Sequence, residues 1–329
     1  MKKCIVNLAI AGIFSGLFIS CSDDHLDTEG IDDTPTPIEA DAFFEEHGQS
    51  LQAFTGDASS GFTVTGAGGT EISFPADAFV DEDGNIISGA VEIGIIEILT
   101  KKDLLLSGVA TESNGQLLES GGELYIEALQ NGETLYLNPA NHHFGSNPVT
   151  VKLPRDTDID PTDMILFNQG ARWDDGLEDD SFTWLVFNES PDAMVQPYSY
   201  DFTIPNFGWI NVDKFLNFPQ DELTFVHVNL TAGSAGGLQD VAVLMVFENL
   251  NAVIGLNYDP VQEWFGTENF SVNPNLPIGE QIAVVIIAKN AQGDLYFDKQ
   301  ENLTITANAL YTLTPQQATP QDIDWINNL

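Results

Sequence analysis

Apolar and polar residues alternate through most of the chain from about residue 60 onward, and a period of two predicts strands. In GELYIEA, Leu124, Ile126 and Ala128 share one face, and Glu123, Tyr125 and Glu127 share the other. In GAVEIGIIEIL the apolar role passes from Val91, Ile93 and Ile95 to Ile96 and Ile98, a slip that predicts a β-bulge. NPVTVKLP reads as a short strand stopped by Pro154. YSYDFTI, FGWINVD, ELTFVHVNL, NAVIGLNY and DLYFD continue the pattern. VAVLMVF and IAVVIIA are apolar on both faces, so they are expected at the centre of a sheet covered on two sides. Asn114-Gly115, Asn131-Gly132, Gly68-Gly69 and Asp83-Gly84-Asn85 punctuate these runs as turns. Short strands with such punctuation predict a sandwich or barrel rather than βαβ units.

Two stretches read as helices. DAFFEEHGQSLQAF predicts a short one packing Phe43, Phe44 and Phe54. At the end of the chain Thr319 can cap, Pro320 suits the first helical position, and Asp322 suits the positive end of the helix dipole. Ile323, Ile326 and Leu329 would then face the core. The expected fold class is therefore all-β, with two β-sandwich-like domains over 42–155 and 197–329 and a short C-terminal helix. Between them, 156–196 is acidic and turn-rich and reads as a junction.

The first 41 residues break the pattern. Met1-Lys2-Lys3 is followed by an apolar run from Ile5 to Ile19, which at about 15 residues is shorter than the roughly 20 a membrane span needs. Leu17-Phe18-Ile19-Ser20-Cys21 resembles the bacterial lipobox, with Phe18 where leucine is more usual. That resemblance implies a lipoprotein signal peptide over 1–20 and a lipid on Cys21. Ser22-Asp23-Asp24 resembles the export signal that follows the lipidated cysteine in Bacteroidetes surface lipoproteins. The implied location is the outer membrane, facing the cell exterior, with the lipid as the membrane partner. Residues 21–41, acidic and carrying Thr-Pro-Thr-Pro, form a tether that could reach roughly 60 Å when extended. With Cys4 removed and Cys21 lipidated, stability must come from packing without a disulfide.

Charge narrows the partners. The 329 residues hold 10 Lys and Arg against 50 Asp and Glu, a net −40. Such a surface repels phosphate backbones and excludes nucleic acid as a partner. Hydrophobic residues at 43% and charged ones at only 18% supply material for real cores.

GTEISFPADAFVDEDGNIISGAVEIGI followed by SGVATESNGQLLESGGELYIEA resembles the ZU-type β-sandwich of zonula occludens proteins, netrin receptors and ankyrins. The residues that carry it include Gly69, Thr70, Ile72, Pro75, Ala78-Phe79, Gly115 and Gly121-Gly122. The resemblance covers about a third of the chain and implies a structural or interaction module with no general reaction. Some ZU-type domains cut themselves at His-Phe-Ser. Here Gly145 separates His142-His143-Phe144 from Ser146, which puts the hydroxyl out of position to attack.

Other chemistry is weakly signalled. Asp81, Asp83, Asn85 and Glu92 mimic an EF-hand spacing, but Ile86 stands where the sharp turn needs glycine, so a hairpin turn is expected. Weak calcium coordination is most plausible at Asp156, Asp158, Asp160 and Asp163 or at Asp174, Asp175, Glu178, Asp179 and Asp180, where hard oxygen ligands crowd; a solvated acidic face is the alternative. Trp173 and Trp264 could stack on sugar rings, or pack against the sandwich. The functional expectation is a non-enzymatic lipoprotein with a structural or protein-interaction role, its partners envelope proteins or glycans. The alternatives are a glycan-binding accessory protein for polysaccharide uptake, and a carboxylate-dependent hydrolase, which a cleft with two close acids of raised pKa would support.

Overall fold

In a computed structural model, residues 38–141, 147–174, 177–187, 193–234, 236–267 and 275–329 are described; for Asp41, Asn141 and residues 170–182 only the backbone is. Cys21, Ser22, Asp23, Asp24, His142, His143, Ser146 and Asp175 lie outside the described residues.

The alternating segments form strands that pair antiparallel, except that Val226–Leu230 and Ala309–Leu313 pair parallel, and their apolar files face the cores. The first sandwich contains β1 (Gln52–Asp57), β2 (Phe62–Thr65), β3 (Glu71–Phe74), β4 (Ala90–Ile98), β5 (Gln116–Gln130), β6 (Val149–Pro154), β7 (Ile165–Asp174), β8 (Leu177–Val186), β9 (Ser199–Ile204) and β10 (Gly208–Phe215). Its larger sheet runs β1-β4-β5-β10-β7-β8, and the smaller one includes β9-β6-β3-β2. Ile93, Ile95, Leu124, Ile126, Val151, Phe202 and Val212 fill the space between them. The two Asn-Gly turns flanking β5 have both residues at positive φ, as a type I′ hairpin requires: Asn114 at 47° and Gly115 at 83°, Asn131 at 53° and Gly132 at 84°.

The second sheet contains β11 (Val226–Leu230), β12 (Leu238–Phe247), β13 (Val253–Asp259), β14 (Trp264–Gly266), β15 (Gln281–Asn290), β16 (Leu295–Thr304) and β17 (Ala309–Leu313). Its order is β17-β11-β14-β13-β12-β15-β16, and it curls as a half-barrel over Val228, Met245, Phe247, Val284 and Leu313. β12 and β15 are the VAVLMVF and IAVVIIA strands, and they sit centrally with both faces buried, as expected. Their other face, with Leu244, Val246, Val285 and Ile287, belongs to a third core.

That third core joins the sheets. Three helices contribute to it: α1 (Ala40–His47), α2 (Lys101–Ser107) and α3 (Pro320–Asn327). The larger sheet of the first sandwich contributes Ile96, Ile98 and Trp209. In α2, Thr100 Oγ1 accepts from Asp103 N while the Asp103 carboxylate accepts from Thr100 N, a reciprocal cap that fixes the helix start. In α3 the Asp322 carboxylate accepts from both Thr319 N and Thr319 Oγ1, and Ile326 is buried.

Several sequence expectations are corrected here. The boundary at 156–196 is not one between sheets: β7 and β8 form a hairpin at the edge of the larger sheet, and β9 and β10 pair into the first sandwich, which ends after Phe215. An acidic hairpin looks like a linker when its long-range partner strand is out of view. The helix at 40–47 docks on the second sheet, where Ala40 N donates to Gly293 O and Leu295 N to Ile38 O. Phe43 is buried there, whereas Phe54 lies on β1 against the first core. β4 has no bulge. Its pairing with β5 runs unbroken from Glu92–Leu129 to Ile98–Glu123, and Ile96 and Ile98 are apolar because the third core covers that face too.

Candidate functional site

The face of β5 opposite the first core carries Glu123, Tyr125 and Glu127 in file. At one end the file is sealed; at the other it opens to solvent.

At the sealed end, β5 pairs with β10 so that Asn211 lies opposite Glu123 and Asp213 opposite Ser120. Two residues of β5, Gly121 and Gly122, thus stand against one of β10, Val212. This bulge lets Ser120 and Glu123, three positions apart, face the same way. Glycine is required: a Cβ on Gly121 would meet Val212 O at 2.8 Å and the Tyr200 ring at 2.9 Å, and Gly122 has φ +133°. Ser120, Glu123, Asn211 and Asp213 all have 0% exposure. Asn211 Nδ2 donates to Asp213 Oδ2 at 2.6 Å. Burial raises the Asp213 pKa to about 8, against the lowering influence of Ser120, Asn211 and the Gly121 N–H. Burial, and then the charge of Asp213, pushes Glu123 well above the carboxylate range. The neighbouring Lys214 is committed elsewhere, to Glu119 Oε2 at 2.8 Å and to Asp160 O at 2.9 Å.

Glu97 shows the contrasting case. Burial raises its pKa, but Thr70, Gln52 and Gly68 outweigh that and hold it below normal. Its oxygens accept from Gly68 N at 2.8 Å, Thr70 N at 2.9 Å and Gln52 Nε2 at 3.0 Å. It is a satisfied buried carboxylate that ties the loop containing Gly69 and Thr70 to β4.

At the open end lies a groove of 530 Å³ lined by Tyr125, Glu127, Tyr136, Asn206 and Phe207 among others. Tyr125 packs on Trp209 with ring centres 5.3 Å apart, and its hydroxyl donates to Glu127 Oε2 at 3.1 Å. Burial, with Glu127 beside it, raises the Tyr125 pKa to about 12, so the phenol stays protonated. Phe207 is stacked over Phe79 at 6.0 Å, which anchors that wall to the first core. Tyr136 is 51% exposed. The groove therefore offers aromatic faces beside carboxylate and amide oxygens, a combination suited to a neutral polar ring.

The residues singled out by sequence are scattered. Asp156, Asp158, Asp160 and Asp163 are exposed in turns. Asp156 Oδ1 accepts from Asp158 N, and Asp160 Oδ1 from Thr162 N and Oγ1, so these carboxylates cap their own loops. Trp173, Asp174 and Asp179 are placed by backbone only, on β7 and β8. Trp264 is half-buried, with the His227 ring stacked at 4.2 Å on one face. Asp81 accepts from Asp83 N and from Asn85 N and Nδ2, the expected hairpin turn. Among the described residues no three Asp, Glu, His or Cys side chains gather into a group that could hold a metal, and no helix is long and apolar enough to cross a membrane.

The acid pair and the groove were missed because alternation marks a face polar without saying what covers it. The available signal was in β4: Ile96 and Ile98 on the second face of a neighbouring strand imply that Glu123 beside them is covered too. Comparison with known proteins adds no relative: no family model matches the chain, and no curated protein matches it.

Proposed function

We propose that the chain is a non-enzymatic lipoprotein of the outer membrane, anchored through Cys21, facing the exterior, and serving a structural or protein-interaction role through a ZU-like module. The lipobox-like run and the acidic tether support the anchor. The open aromatic groove on a well-packed body is the observation that carries a binding role. The acids with raised pKa, Glu123 and Asp213, are sealed from any substrate, which favours binding over hydrolysis. Cells given an alkyne fatty acid are expected to label the protein and keep it in the membrane fraction. Cys21→Ala is expected to abolish both; retained labelling would sink the anchor.

A second reading, glycan binding for polysaccharide uptake, is favoured by Tyr125, Tyr136 and Phe207 lining one groove. Tyr136→Ala is then expected to weaken saccharide binding about five- to tenfold, the loss of one ring contact. A glycan array followed by titration of the hits checks this. Binding that survives Tyr136→Ala but fails on Trp264→Ala would move the site to the half-barrel.

A further inference from the structure

Glu123 is a buried carboxylate with no hydrogen-bond partner on either oxygen among the described residues. Asp213 Oδ1 and Asn211 Oδ1 are likewise buried and unpartnered. Four acceptor oxygens thus lie on three residues of one bulged strand pair, and beyond the Ser120 hydroxyl and the Gly121 N–H, which serve Asp213, the donors nearby are already used. The Asn211 amide nitrogen is committed to Asp213 Oδ2. Lys214 is held by Glu119 and Asp160, and the Arg155 guanidinium donates to Ile159 O and Pro197 O. An unpaired buried acceptor costs about 1–3 kcal/mol, and more when charged.

A single proton does not satisfy this set: placed on Glu123 and donated to Asp213 it serves two of the four oxygens, and the second Glu123 oxygen and Asn211 Oδ1 still lack a donor. Two protons, one on each carboxyl, close the set without an ion, and that is the state with which a cation competes. A cation serves all four together. All the ligands are hard oxygens, and two carboxylates match a divalent charge and leave the site neutral. The strand bulge makes the convergence, since without it Ser120 and Glu123 would point to opposite faces.

We propose that Glu123, Asp213 and the Asn211 carbonyl oxygen, with the Ser120 hydroxyl beside them, form a buried calcium site between β5 and β10. The site lies apart from the acidic turns at 156–163, where the Asp156 and Asp160 carboxylates are engaged by their own loops. Glu123 stands beside Ile98 of the third core, and Asn211 and Asp213 stand beside Phe167 and Ile165 of a smaller core built on Leu118, Phe167 and Trp184.

The test uses the full chain, stripped with chelator and melted with and without millimolar calcium chloride. Calcium is expected to raise the melting temperature, and elemental analysis is expected to give one calcium per chain. Glu123→Gln and Asp213→Asn remove charge at nearly constant shape, so they are expected to fold and to lose the calcium response. The control Asp156→Asn/Asp160→Asn is expected to keep it. No calcium shift in the unmodified chain overturns the proposal in favour of a pair neutralised by protons. A shift retained in both Glu123→Gln and Asp213→Asn overturns it in favour of another site.

Discussion

Raising the pH from 5 to 8 in the presence of chelator is expected to destabilise the protein, the reverse of ordinary acid denaturation. The Asp213 carboxyl has a folded pKa of about 8 against an ordinary 3.8. Glu123 moves in the same direction. Above pH 4 the unfolded chain releases these protons while the folded chain keeps them. The folded state then binds more protons, so stability falls as pH rises and levels off only above about pH 8. With one pKa unit worth about 1.4 kcal/mol, the fall is on the order of several kcal/mol. Charges on the surrounding elements do not cancel it: Glu119 is paired with Lys214, Lys101 of α2 donates to Phe247 O and Glu248 O, Asp103 accepts from Gln49, and Tyr200 is held protonated by burial. Glu97 works the other way, since its depressed pKa adds stability above pH 4.5 that is lost only as the pH falls through its folded value. The optimum is therefore expected near pH 5. Urea midpoints at pH 5, 6.5 and 8 read the effect directly, and Asp213→Asn should flatten the slope. A midpoint that rises across this range in the unmodified chain would contradict the account.

The sequence carried the strands and their inward faces because alternation is a local property. Leu124, Ile126 and Ala128 face the core as read, and the Asn-Gly pairs turn as read. The capped helix at Thr319 is present because its cap, proline and acid lie within four residues. Strand pairing is not local. β5 pairs with β10 across the intervening strands β6 to β9, and nothing in FGWINVD says that its polar residues will meet Glu123. The buried acids therefore looked like a solvated face, and β7 and β8 like a linker. The Gly121-Gly122 pair inside a strand was the one local mark of the bulge that builds the acid cluster.

Leu105→Ala is expected to lower stability by about 2–5 kcal/mol and to do so for both sandwiches at once. Successive residues of a helix point about 100° apart, so three neighbouring leucines can all be buried only if the helix is covered on several sides. Leu104, Leu105 and Leu106 of α2 are 1%, 2% and 8% exposed. They share the third core with Ile98 of β4 and with Leu244, Val246 and Val253 of the half-barrel. Removing the Leu105 side chain opens a cavity among residues from both sheets, and neither can relax into it without moving the other. The indole resonances of Trp184, in the first sandwich, and Trp264, in the half-barrel, should therefore shift to the same lower urea midpoint. If Trp264 melts separately while Trp184 keeps its midpoint, the third core is a soft contact between independent domains. If both move together, α2 is the wedge that makes the two sandwiches one cooperative body, and the groove and the acid cluster on β5 are held by the same packing.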